Sequence, residues 1–277
     1  MQVKAMICDQ SSLKSVRQFA SEFKKLKSPL HLLVLNAGVM KSPGSQFTGI
    51  NMTYGFELTE DGFEQHIGVN HIAHFYMTQL LTKQLTAGAP SRVVAVSSSA
   101  HSGGYPEGIR PDSWSPSAEA GTPDWYEDGN SYAQSKLANI LFAREFSKRM
   151  KNTGVTAYAV HPGIVKSDLT RYMASAFAED LKEKSIVEKC VSALLSFVFT
   201  QSNMDVPDGS LTQLYVATAP EAELTPGGFY WPIGKLTDPD HPSLTGPESN
   251  NEKLWTETEK AISRALRAER REDEVKA

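Results

Sequence analysis

Three short apolar runs, each closed by a small or polar triplet, constrain this chain more than any other feature. His31–Asn36 ends in Asn36-Ala37-Gly38, Arg92–Ser97 in Ser97-Ser98-Ser99, and Val155–Val160 in His161-Pro162-Gly163. Continuous rather than alternating hydrophobicity marks strands covered on both faces, the habit of parallel sheets. Parallel neighbours need long crossovers, usually helices. Gly62–Ala87 reads as one, with Phe63, Ile67, Asn70, His74, Met77 and Leu81 along one side, and Ser131–Lys151 as another. Ahead of them, Val3–Cys8 reads as a strand, followed by a helix with Leu13, Val16, Phe19, Ala20 and Phe23 at helical spacing and Ser12 as its cap. Helices near Val187–Thr200 and Ser210–Ala219, a short strand Phe229–Trp231 and a helix Glu252–Arg270 complete the series. The alternation predicts an α/β fold around a parallel sheet, one domain over residues 1–277, with a charged tail at 271–277 expected to fray.

Residues 99–130 break the rhythm. Gly103-Gly104, Pro106, Pro111, Pro116, Gly121 and Pro123 make this stretch a long loop. Loops beyond about 15 residues are uncommon unless they serve function or are disordered. Its Trp114, Trp125 and Tyr126 fit the mouth of an apolar ligand site and fit a protein contact equally well.

Composition excludes several classes of function. Apolar residues at 40% and charged residues at 22% describe a globular chain rather than a disordered one. With 28 basic against 32 acidic residues, the net charge of −4 predicts no nucleic-acid partner. No apolar run approaches the roughly 18 residues that span a bilayer, and Met6-Ile7 is followed at once by Cys8, Asp9 and Gln10, unlike a signal-peptide core. Cys8 and Cys190 suit a reducing compartment. A soluble cytoplasmic protein with no membrane segment in this chain is the expectation. His66, His71 and His74 point across a wide arc of their helix, so they read as packing residues and no metal site is expected.

The strongest chemical signal is Tyr132-Ala133-Gln134-Ser135-Lys136. A spacing of four puts both side chains on one helical face, about 5–6 Å apart at Cβ. A free phenol titrates near ~10, and an adjacent ammonium favours the phenolate, bringing it toward the range of proton exchange. Alone, the pair is equally readable as two surface residues. Its company gives it weight, because the three strand-end triplets share the carboxyl edge of the sheet, where open α/β sheets bind ligands. A serine hydrolase is disfavoured, since no G-x-S-x-G elbow occurs.

Taken in order and spacing, Leu35-Asn36-Ala37-Gly38, Gly68-Val69-Asn70-His71, Val94–Ser99, Tyr132–Lys136 and His161-Pro162-Gly163 resemble the short-chain dehydrogenase/reductase family over almost the whole chain. Glu60–Glu64, Ser135–Phe142 and Ala159–Gly163 resemble its retinol-dehydrogenase-like branch, with the oxidoreductase domain of WW-domain-containing oxidoreductases a second resemblance. The resemblance implies an α/β, doubly wound parallel sheet (Rossmann-like). It makes Tyr132 the general acid/base and Lys136 the group that lowers its pKa and holds the nicotinamide ribose. Ser98 would bond the substrate oxygen, ahead of Ser97 and Ser99. Asn70 would kink its helix and bind a proton-relay water. Asp9, Asn36, Ala37 and Gly38 would line the adenosine side, and Pro162, Gly163 and Val165 the nicotinamide. The cofactor implied is NADP(H) ahead of NAD(H), and the substrate a lipophilic, retinol- or steroid-like alcohol or its aldehyde or ketone.

The family opens with a glycine-rich turn, T-G-x-x-x-G-x-G, and none of the 19 glycines here has that spacing. The resemblance therefore starts this chain at the family's third strand, leaving the fold without its first two strands and their helices. Val3–Cys8 would then have no sheet neighbour, and one edge of His31–Asn36 would stand unpaired. The alternative reading follows: a non-catalytic truncated fragment or interaction protein that cannot bind the dinucleotide. By resemblance, a homodimer is expected through Gly62–Ala87 and Ser131–Lys151, a lid at Ser167–Lys184 with Tyr172, Met173 and Phe177, and membrane or organelle association for a longer parent.

Overall fold

The computed structural model describes residues 3–42, 55–115, 122–170, 179, 204–241, 244 and 249–276. Helix α1 (Leu13–Lys25) precedes β1 (Leu32–Leu35). A helical rod follows, built from α2 (Gln65–Ile67), a π-helical segment Gly68–Ile72 and α3 (Ala73–Ala87). Then come β2 (Ser91–Val96), α4 (Asp128–Arg149), β3 (Val155–Val160), α5 (Val206–Gly209), α6 (Leu211–Thr218), β4 (Phe229–Trp231), β5 (Lys235–Leu236) and α7 (Ser249–Lys276). The sheet order is β1-β2-β3-β4-β5, parallel except for the β4–β5 pair. The fold is thus the parallel-dominated α/β sheet expected from the apolar runs.

Successive strand residues face opposite sides, and here the two sides are covered unequally. Val93, Ala95, Ala157, Ala159 and Phe229 pack in one core with Leu13 of α1, Leu81 of α3, Leu141 of α4 and Trp255 of α7. Val94, Val96, Tyr158, Val160 and Tyr230 pack in a second core under Val216 of α6. The Arg92 guanidinium ties α6 to the sheet by donating to the carbonyls of Val216 (2.9 Å) and Ala219 (2.6 Å), a favourable place for a cation at a helix C-terminus.

Several expectations need correcting. Residues 3–8 form no strand: Val3 and Ile7 are 80% and 90% exposed, because an extended segment without a paired neighbour gains no ladder bonds. β1 is not buried on both faces, since it is an edge strand among the described residues and leaves Leu32 38% and Val34 42% exposed. Ser12 sits at the N-cap of α1 without a side-chain bond; the Asp61 carboxylate accepts from the Leu13 N–H instead, at 2.7 Å. α7 runs to Lys276, over most of the stretch expected to fray, and Glu269 accepts two bonds from the Arg17 guanidinium at 2.9 and 2.7 Å. The hairpin strand β5 carries no signal in its two residues. The aromatic sides of α3 and α4 are covered by α7, with Trp255 at 4.5 Å from Phe75 and 6.3 Å from Phe142, ring centre to ring centre. The helix expected near 187–200, Cys190 and the lid residues Tyr172, Met173 and Phe177 lie outside the described residues. Among those described, no helix is long and apolar enough to cross a membrane.

Candidate active site

A cleft of about 770 Å³ opens at the carboxyl ends of β1, β2 and β3. Asn36, Ala37 and Gly38 line it after β1, Ser98 after β2, and Pro162, Gly163 and Val165 after β3; Tyr132 and Lys136 reach it from α4. These are nine of the residues singled out in the sequence. The parallel register that aligns Leu35 with Ala95, and Val96 with Val160, brings the strand ends level and so gathers the triplets.

Polar residues of α4 seat the helix on the end of β2. The Ser97 hydroxyl donates to the Lys136 carbonyl at 2.7 Å. The Val96 carbonyl accepts from Lys136 Nζ at 3.2 Å and from Asn139 Nδ2 at 3.1 Å. Lys136 Nζ lies 5.6 Å from the Tyr132 ring centre. The sequence predicts a phenol lowered by its lysine, and the protein environment does the opposite: burial pushes Tyr132 up to about 12, with the Ser98 hydroxyl bonded to it pulling the other way. Burial also brings the Lys136 ammonium down to about 8. Desolvation acts against both charged forms.

Asn70 lies in the middle of the π-helical segment, fully buried. π-Bulges are rare and cluster at functional sites. The Asn70 carboxamide oxygen accepts from the Val39 N–H at 2.8 Å, and its amide donates to the Val39 carbonyl and to Ser135 Oγ, each at 3.0 Å. Ser135 Oγ in turn donates to the Tyr132 carbonyl at 2.7 Å. Asn70 therefore joins the loop after β1 to the helix that carries Tyr132. Gly38 leaves room beside it, because a Cβ there would stand 2.9 Å from Asn70 Oδ1. Gly163 adopts φ +90, and a Cβ on it would meet Met204 Sδ at 2.5 Å.

Asp9 is not among the cleft's lining residues; its carboxylate accepts from the Ser11 N–H (2.8 Å) and hydroxyl (2.7 Å), which holds it below the usual range. Trp114 is a core residue, its indole N–H donating to Gln134 Oε1 at 3.2 Å, and Trp125 lies under the Arg110 guanidinium at 4.9 Å. Neither lines the cleft. Sequence reasoning missed its apolar wall of Met40, Ile164, Leu169 and Val206, which carries no motif. His161 also lines the cleft, kept neutral by burial, which brings its imidazole down to about 4. Two other buried histidines have partners elsewhere, His66 in Glu64 and His71 in Thr258. Among the described residues, no group of three ligating side chains could hold a metal ion.

An open parallel sheet with a Tyr–Lys helix at its carboxyl edge defines a class, and comparison with known proteins supplies the family. Residues 1–110 match the family model for short chain dehydrogenase. Human retinol dehydrogenase 12 is 38% identical over 229 residues, covering 83% of this chain and 61% of that protein. Human retinol dehydrogenase 14 is 33% identical over 247 residues, covering 89% and 63%. The chain thus spans a little over three-fifths of these relatives' length. A crystal structure of an uncharacterised protein from Mycobacterium Paratuberculosis superposes with a TM-score of 0.61 at 27% identity, covering 95% of this chain and 76% of that one. An NADPH-bound carbonyl reductase from chicken fatty liver shares the fold, with a TM-score of 0.52 at 20% identity, over 83% of this chain and 75% of its own. The chain belongs to the short-chain dehydrogenase/reductase family, and resembles its retinol-dehydrogenase-like branch.

Proposed function

We propose that this chain is an oxidoreductase that interconverts a lipophilic alcohol and its aldehyde or ketone, using NADP(H) in preference to NAD(H). The observation that carries it is the convergence of Ser98, Tyr132 and Lys136 on one cleft at the carboxyl edge of a parallel sheet. The residues present fit a dinucleotide. Asn36, Ala37 and Gly38 offer a wall of small side chains, and the buried Lys136 ammonium has one carbonyl partner for its three donors. Pro162, Gly163 and Val165 face it across the cleft. When bound, the nicotinamide supplies or accepts the hydride, and the protein's task is positioning.

In this reading Tyr132 gives a proton to the substrate oxygen in reduction and takes it in oxidation. Ser98, already bonded to the phenol, orients that oxygen. Lys136 holds the ribose hydroxyls and favours the phenolate electrostatically. Asn70 fixes the distance between the β1 loop and α4, while Met40, Ile164 and Leu169 give the substrate apolar surroundings. The relatives named retinol dehydrogenase support the substrate class, and the NADPH-bound carbonyl reductase supports the dinucleotide. Titration with NADPH followed by turnover of a retinoid or steroid alcohol tests the proposal. Saturable binding in the micromolar range with turnover lost in Tyr132→Phe is the expected result. No saturable binding would favour the non-catalytic alternative.

A further inference from the structure

We propose that Glu64 and His66 are positioning residues, a buried dyad that holds the 36–42 wall of the cleft in its binding geometry. The inference rests on the proposed function for its consequence and on hydrogen-bond geometry for its mechanism. Residues 36–42 carry no helix or strand bonds, so their backbone groups must be met by other means. Asn70 meets both polar groups of Val39. Two residues on, the Lys41 N–H donates to His66 Nε2 at 3.0 Å.

An imidazole nitrogen that accepts must be unprotonated, which puts the proton on Nδ1. Nδ1 faces Glu64 Oε1 at 2.7 Å, and that contact selects the tautomer Lys41 needs. Glu64 Oε2 accepts from the Ile67 N–H at 3.0 Å, capping α2, and Oε1 also accepts from the Tyr126 hydroxyl at 3.3 Å. Burial pushes the Glu64 carboxyl up, but His66 and the Ile67 amide more than offset it, so the group is a carboxylate. Both residues are 1% exposed. The His66 ring stands edge-on to Tyr132, with ring centres 5.9 Å apart. One dyad thus touches the loop wall, the proton-exchanging tyrosine and the long 99–130 loop.

Filling the same volume with apolar side chains would suit stability as well or better, since a buried carboxylate is costly to desolvate even when it is hydrogen-bonded. An apolar ring, though, removes the acceptor that His66 offers the Lys41 N–H. The test compares the full chain with His66→Phe, His66→Gln and Glu64→Gln by hydrogen exchange at residues 36–42 and by NADPH affinity. His66→Phe is expected to speed exchange of the Lys41 amide and weaken NADPH binding by about tenfold each, the effect of losing the hydrogen bond from one half-buried donor. His66→Gln, whose side-chain oxygen can take the N–H, is expected to recover most of both. Exchange in β2 and β3 stays at the parent rate.

Parent-like exchange at 36–42 in His66→Phe would overturn the proposal. So would a uniform loss of protection that His66→Gln does not relieve, which is the signature of a merely structural pair. A parent that binds no NADPH would refute the proposed function, while the exchange rates would still decide whether the dyad holds the wall.

Discussion

The two walls of the cleft are built by opposite means. The α4 wall is a helix of 22 residues whose backbone bonds are its own, so Tyr132 and Lys136 sit buried on a preformed support. The β1 wall continues an edge strand and has no regular structure; its amides are met by Asn70 and His66, side chains from a separate helical rod. A helix satisfies itself. A loop relies on residues distant in sequence, and one substitution there can remove its anchor.

The largest effect that would sharpen this contrast is on the α4 wall. Tyr132→Phe removes one hydroxyl and is expected to lower kcat by about 10²–10⁴-fold, the span of general acid/base catalysis, with unfolding unchanged. Turnover at the parent rate would break the contrast.

Lys136 gives the next effect, through pH. Its ammonium titrates near 8 when folded, against 10.5 for an exposed lysine. Below pH 8 both states carry the proton and the penalty is constant. Between 8 and 10.5 the unfolded chain binds more protons than the folded one, so stability rises with pH, by on the order of 3 kcal/mol in total. Tyr132, raised when folded, opposes this only above pH 10, where the unfolded phenol ionises first. Urea unfolding of the parent against Lys136→Met, from pH 8 to 10, should show the rise in the parent alone.

On the β1 wall, Asn70→Ala leaves both polar groups of Val39 unpartnered and is expected to cost about 2–3 kcal/mol of unfolding free energy. Unchanged stability would mean the loop needs no anchor from the rod. The smallest effect is expected at Gly38→Ala, whose Cβ must displace Asn70 Oδ1 from 2.9 Å. About 1–2 kcal/mol is lost, as in overpacked cores. Because the shift falls on the cleft side, NADPH affinity should drop more than thermal stability.

What could be read without the fold was whatever repeats locally or stops abruptly. β2, β3 and α4 follow from apolar runs and helical spacing, and residues of all three strand-end triplets line the cleft. The Tyr132–Lys136 spacing was legible for the same reason, since i to i+4 is a property of any helix.

Other features depended on neighbours far along the chain. Whether β1 is buried turned on which strands flank it, and the cap of α1 came from Asp61 rather than the adjacent Ser12. Trp114 fits a ligand mouth and a protein contact equally well within its loop, and the fold seats it in the core beside Gln134. The state of Tyr132 depended on burial, which raises it although a lysine lies four residues away. Glu64 and His66 are separated by one residue, with nothing in their spacing to suggest a shared task; Lys41 and Tyr126 give them one. The sequence by itself determined β2, β3, α4 and the residue types at the strand ends, because those rest on interactions within a few residues. Only the tertiary structure decided exposure, protonation and anchoring, because desolvation and buried hydrogen bonds depend on what the rest of the chain brings within a few ångströms.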